Sequence, residues 1–148
     1  MRTPSHSGEE SRLLEFEIPS DVRFIERVVE AVRTECRRQQ YADHHLSLNV
    51  PVALTEALSN AILRGNREDR SKPVLVRARV DASQLVIEVV DQGAGFDLDA
   101  CAADPTTPER LLHEDGRGLY LMVQLMDQVE RLEGEGGNMV RMTLWRAS

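Results

Sequence analysis

Hydrophobic residues recur along this chain at two periods, and the switches between them divide it into elements. Leu14, Phe16 and Ile18 alternate with Glu15 and Glu17, which predicts a half-buried strand ending at Pro19. Ser20 is the expected N-cap of a helix whose apolar face, Val22, Ile25, Val29, Val32 and Cys36, runs to about Gln40. Asn49 before Val50-Pro51 marks a second helix start. In that helix Leu54, Leu58 and Ile62 recur every four residues, Ala57 and Ala61 widen the stripe, and Gly65-Asn66 ends it. The period then becomes two. Val74, Val76, Ala78 and Val80 share one face, Asp81-Ala82-Ser83-Gln84 reverses the chain, and Leu85 to Val90 forms the second arm of an antiparallel hairpin. Leu119, Met122, Val123 and Met126 predict another helix, and Val129 to Leu132 with Asn138 to Trp145 predict two closing strands around Gly134-Glu135-Gly136-Gly137.

Composition bounds this picture. The chain of 148 residues, 41% hydrophobic, suits one domain: a polar tail over residues 1–11 and a single folded unit over 12–148. The net charge of -7 is dispersed, aromatics are 4%, and no Lys/Arg cluster interleaves with them, so nucleic acid is not expected as a partner. With no leader at Met1 to Ser11 and no apolar run that suggests a bilayer span, a cytoplasmic protein without a membrane partner is expected. Cys36 and Cys101 lack neighbours at metal-ligand spacing and read as free thiols. The histidines, His44 and His45 among them, read as helix-surface or loop residues.

Chemistry concentrates in four places. Glu56 and Asn60 lie one helical turn apart on a face different from the apolar stripe, where together they can hold a cation and orient a hydroxyl; a solvated pair is the plainer reading. The period of the hairpin's second arm puts Asp91 on the same face as Leu85, Ile87 and Val89, at the mouth of the helix–sheet interface. Gly93 and Gly95 follow, letting the backbone approach a flat ligand while the aspartate accepts from an exocyclic amine; a tight turn is the alternative. Residues 98–115 carry Pro105 and Pro108 without periodicity, as a disordered loop or a lid does. Gly116-Arg117-Gly118 directly precedes Leu119, and glycines opening a helix offer free N–H groups to a phosphate or serve as a hinge. Asn138 falls on the core face of the last strand, at a pocket edge.

In this order the motifs resemble the ATP-binding domain of histidine kinases, gyrase-type topoisomerases, mismatch-repair ATPases and heat-shock chaperones, the GHKL or Bergerat fold. Glu56-Ala57-Leu58-Ser59-Asn60-Ala61 is similar to its N-box, Asp91-Gln92-Gly93-Ala94-Gly95-Phe96 to its first glycine box, and Gly116-Arg117-Gly118-Leu119 to its second. The compact length and the form of the N-box most resemble bacterial anti-sigma-factor serine kinases. That resemblance implies an α/β two-layer sandwich, a mixed, largely antiparallel sheet covered on one face by helices. It implies ATP and Mg²⁺ as cofactors, with Asp91 holding the adenine amine, Gly95 shaping the adenine pocket, Asn60 binding the metal, Gly116 and Gly118 bracketing the phosphates, and Glu56 assisting the attacking hydroxyl. The implied partners are a STAS-domain anti-anti-sigma factor and a sigma factor, with a homodimer as the family's assembly. A nucleotide-gated binding module without phosphotransfer is the second function that fits. Two positions depart from the pattern: Arg64 stands where many relatives carry histidine, and Asn138 where they carry threonine. Arg64 is two turns from Glu56 and reaches either phosphate or solvent.

Overall fold

The computed structural model describes residues 11–93, 114–134 and 137–148. Strand β1 (Arg12–Ile18) leads into helix α1 (Ile25–Arg38), then α2 (Val50–Asn60), the hairpin β2 (Val74–Val80) and β3 (Gln84–Asp91), helix α3 (Glu114–Leu125), and strands β4 (Gln128–Gly134) and β5 (Gly137–Trp145). The strands form one sheet in the order β1-β2-β3-β5-β4. The fold is the expected α/β sandwich. Every pairing among the described strands is antiparallel, so the parallel component allowed for in a mixed sheet is not among them.

Alternation decides the two faces of that sheet. Val74, Val76, Ala78 and Val80 are fully buried, as are Leu85 and Ile87, and Met142 and Leu144 continue the layer on β5. The helices meet this face with Val28, Val32, Leu54, Leu58, Ile62, Leu119 and Met122, and α2 packs against both α1 and α3. Burying such a side chain contributes about 1.5–3 kcal/mol, so the shared face supplies most of the stabilisation. Among the described residues nothing covers the other sheet face. Across it runs one row of alternating charge, Glu15, Arg77, Glu88, Arg141 and Glu130, one residue from each strand in register. Its ion pairs are 3.4, 3.7, 3.1 and 3.6 Å long. Pairing opposite charges directly across strands favours this register over a slipped one.

Three local expectations are corrected. The cap before α1 is Asp21, whose carboxylate accepts from the Arg23 N–H, and a short 3₁₀ turn over Val22–Phe24 precedes the helix; Ser20 is buried instead, donating to the Lys72 carbonyl. Asn49 does not cap α2, because the chain is already helical there: wide π turns over His45–Asn49 and Ala61–Gly65 flank α2 on either side. Pro51 has no N–H to give the preceding turn and its ring crowds the carbonyl there, a conflict a widened turn relieves. Asn49 Nδ2 donates to the Leu125 carbonyl and so satisfies the end of α3. His45, read as a helix-surface or loop residue, is 1% exposed, with the rings of His44 and Tyr41 tilted against it.

The merged helix also changes one reading of the sequence. His45–Gly65 is a 21-residue helical run containing an 18-residue window of mean hydropathy 1.3, long and apolar enough by composition alone to cross a membrane. Its apolar content is accounted for by the core, where Leu54, Leu58 and Ile62 are inaccessible to solvent.

Candidate functional site

Asp91 is the last residue of β3 and faces inward, as its parity with Leu85, Ile87 and Val89 requires; it is 5% exposed. Its Oδ1 accepts the Gly93 N–H at 2.7 Å. Burial pushes the carboxyl above the usual carboxylate range, opposed by the Gly93 N–H, by a hydrogen bond from Asn138 and by the charge of Arg131.

Three glycines from three segments pack closely around Asp91 and its turn. A Cβ on Gly65, in the last turn of the α2 segment, would lie 2.4 Å from Asp91 Cγ. One on Gly93 would lie 2.0 Å from the Gly65 carbonyl oxygen, and one on Gly137 would lie 1.7 Å from the Asp91 main-chain carbonyl oxygen. No side chain fits at any of the three without a shift, so Gly65 meets the carboxylate itself while Gly93 and Gly137 bring backbone against backbone. The end of the Glu56–Asn60–Arg64 helix thus abuts the start of the first glycine motif. Asn138 sits directly opposite Asp91 in the β3–β5 register, is buried, and donates from Nδ2 to the Gly93 carbonyl.

Glu56 and Asn60 are half-buried on α2, one turn apart, and Arg64 is exposed in the π turn that follows. Asn60 Nδ2 is inaccessible to solvent and has no hydrogen-bond partner. A polar group held in that state suits a ligand rather than the fold, and turning the amide presents its oxygen instead. Among the described residues no three His, Cys, Asp or Glu side chains cluster as a metal site, so a cation here would rest on the Asn60 oxygen together with oxygens of its own ligand. Gly116, Arg117 and Gly118 lie in the first turns of α3, which begins two residues ahead of them at Glu114, and Leu119 is in the core. Gly95 and Phe96 lie outside the described residues, as does nearly all of the stretch read as a lid.

Sequence reasoning missed two residues of this site. Asn66, taken only as a helix terminator, is 1% exposed and ties four segments together. Its Nδ2 donates to Ser20 Oγ at 3.0 Å, the Lys72 carbonyl at 2.9 Å and the Pro73 carbonyl at 3.2 Å, while Oδ1 accepts the Gln92 N–H at 2.7 Å. It therefore holds the residue next to Asp91. Arg131, on the core-facing side of β4, donates from Nη2 to Asn138 Oδ1 at 3.3 Å. Its parity with Val129, two residues before it, signalled an inward cation, a pattern that wants an explanation in any half-buried strand. A cavity of about 460 Å³ lies elsewhere, on the uncovered sheet face between Arg77, Arg79, Glu88 and Arg141, and contains none of these groups.

Residues 18–144 match the family model described as the histidine kinase-like ATPase domain. The chain is 31% identical over 135 residues to the serine-protein kinase RsbW of Bacillus subtilis (strain 168), covering 88% of this chain and 83% of that one. It is 31% identical over 102 residues to the anti-sigma F factor of Thermoanaerobacter sp. (strain X514), covering 68% and 71%. The crystal structure of the RsbU and RsbW domains of Rv1364c from Mycobacterium tuberculosis superposes with a TM-score of 0.64 at 15% identity, covering 90% of this chain and 32% of that one, a likeness of fold.

Proposed function

The chain belongs to the histidine kinase-like ATPase domain family, and from that membership we propose that it is an ATP-dependent protein serine kinase of the anti-sigma-factor type, phosphorylating a STAS-domain antagonist and sequestering a sigma factor. The observation that carries this reading is the abutment of Gly65 on Asp91. It joins the helix bearing Glu56 and Asn60 to a buried carboxylate suited to a base amine.

Asp91 accepts from the exocyclic amine of adenine, in a pocket too dry for water to compete well. Gly65, Gly93 and Gly137 let the helix end, the turn and β5 close on the aspartate and hold it in place. Helical rise of ~1.5 Å per residue sets Glu56 roughly 13 Å along the axis from Gly65. A nucleotide whose base lies at Asp91 therefore extends its phosphates toward Asn60 and Glu56. Mg²⁺ fits Asn60, whose carboxamide is half-buried with an unpartnered nitrogen, and when bound it would neutralise the phosphate oxygens that gather charge during transfer. Glu56 then orients the incoming serine hydroxyl and receives its proton, while the first turns of α3 offer N–H groups to the phosphates.

The test is phosphate transfer from labelled Mg-ATP to a purified STAS-domain partner, with ATP affinity measured in parallel. Glu56→Ala should keep its affinity and lose transfer by ~10²–10⁴-fold, the effect of a missing general base. Asn60→Ala should lose both together. The Arg64 and Asn138 departures favour one alternative, a nucleotide-gated binding module; wild-type protein that binds ATP and transfers nothing to a cognate partner would establish it over the kinase.

A further inference from the structure

A carboxamide has the same shape turned either way, so its neighbours decide which end faces what. At Asn138 they decide completely. The Gly93 carbonyl can only accept and takes Nδ2; the Arg131 guanidinium can only donate and takes Oδ1 at 3.3 Å. The orientation this enforces aims the NH₂ group at the Asp91–Gly93 turn. Without the donor at the far end, Oδ1 loses its partner and the amide is held from one side only, by the acceptors its NH₂ faces.

We propose that Arg131 is a positioning residue of the nucleotide pocket, locking Asn138 with its NH₂ toward the Asp91–Gly93 turn and supplying the positive charge that balances the buried Asp91 carboxylate. What Arg131 positions rests on the nucleotide reading above; its coupling to Asp91 does not. The neighbours of Asp91 from the α2 segment, the turn and β5 are Gly65, Gly93 and Asn138, none of them charged. Arg131 of β4 contributes a charge interaction that favours the ionised carboxylate. It works against burial, which drives Asp91 toward its neutral form. A neutral carboxyl would carry a proton where the base amine needs an acceptor.

The experiment uses the whole chain without nucleotide and follows the Asp91 carboxyl carbon by NMR against pH. Arg131→Met should raise the titration midpoint by roughly one pH unit, a tenfold change in its ionisation equilibrium, and Arg131→Lys should bring it back. Mg-ADP calorimetry on the same proteins should show affinity falling as pH drops through the Asp91 midpoint, the fall beginning about one pH unit higher in Arg131→Met than in wild type and the two proteins converging above both midpoints, a profile that lost packing would not produce. Arg131→Gln keeps a donor for Asn138 without the charge and must also raise the midpoint, which covers the case in which the methionine variant does not fold. A midpoint identical to wild type in a folded neutral variant overturns the proposal. Wild-type protein that binds no Mg-ADP at any pH overturns the nucleotide reading instead, and leaves the coupling to be decided by the titration alone.

Discussion

Replacing Gly65 with alanine adds one methyl group at the point where the α2 segment meets Asp91, and two opposing effects set the outcome. Alanine in place of glycine restricts the unfolded chain and favours helix, a gain of about 0.4–1 kcal/mol. Against this, the new Cβ would lie 2.4 Å from Asp91 Cγ and 2.6 and 2.8 Å from its oxygens, where contact between such atoms needs ~3.5 Å. The carboxylate would have to retreat by roughly 1 Å. It has little freedom to do so, being 5% exposed and bonded to the Gly93 N–H. Overpacking of this kind typically costs ~1–3 kcal/mol, so the steric effect wins and net destabilisation of about 0–2 kcal/mol is expected, a melting point lower by up to roughly 8 °C in a chain of this size. Nucleotide affinity should fall further than stability does. A carboxylate displaced from the base amine forfeits a hydrogen bond to a buried group, ~1–3 kcal/mol or about 5- to 150-fold in Kd. Calorimetry with Mg-ADP, paired with thermal melts, measures both. Gly65→Ala with wild-type affinity and an undiminished melting point would refute the contact between the helix end and the aspartate, and with it the argument that the two motifs share one site.

Asn66→Ala should destabilise the fold by about 1–3 kcal/mol through the unpaired Gln92 N–H and the abandoned Ser20, Lys72 and Pro73 acceptors, read by denaturant unfolding; Asn66→Asp, which keeps an acceptor for Gln92 but offers no N–H to the carbonyls, should not rescue it. His45 gives stability a pH dependence: burial, with His44 beside it, holds its pKa below the ordinary value, so the unfolded chain takes up a proton more readily than the fold does. The contribution is present above about pH 6.5 and is lost as pH falls through the lowered folded value, and His45→Phe should flatten unfolding free energy measured between pH 7.5 and 5.5.

Which residues share a face was legible in the chain, because side-chain direction follows local geometry: two residues per repeat in a strand, 3.6 in a helix. That is why Asp91 could be placed on the core face beside Leu85, Ile87 and Val89, and Asn138 beside Val140, Met142 and Leu144, before any contact was known. The order of the helix, the aspartate–glycine turn and the second glycine pair likewise lies in the sequence, and with it the resemblance that the family match bears out. Periodicity reports a face and not a neighbour. That Gly65 touches Asp91, that Asn66 reaches Gln92 across 26 positions, and that Arg131 turns the Asn138 amide are products of strand order and register. Asn49 shows the same limit from the other side: locally it is a helix cap before a proline, but a partner 76 positions away, the Leu125 carbonyl, competes for its side chain and wins because α3 ends there with a carbonyl to satisfy. Charge, spacing and parity determined which residues could form a site, and only the packing of the α2 segment onto the end of β3 set Gly65 against the buried carboxylate of Asp91.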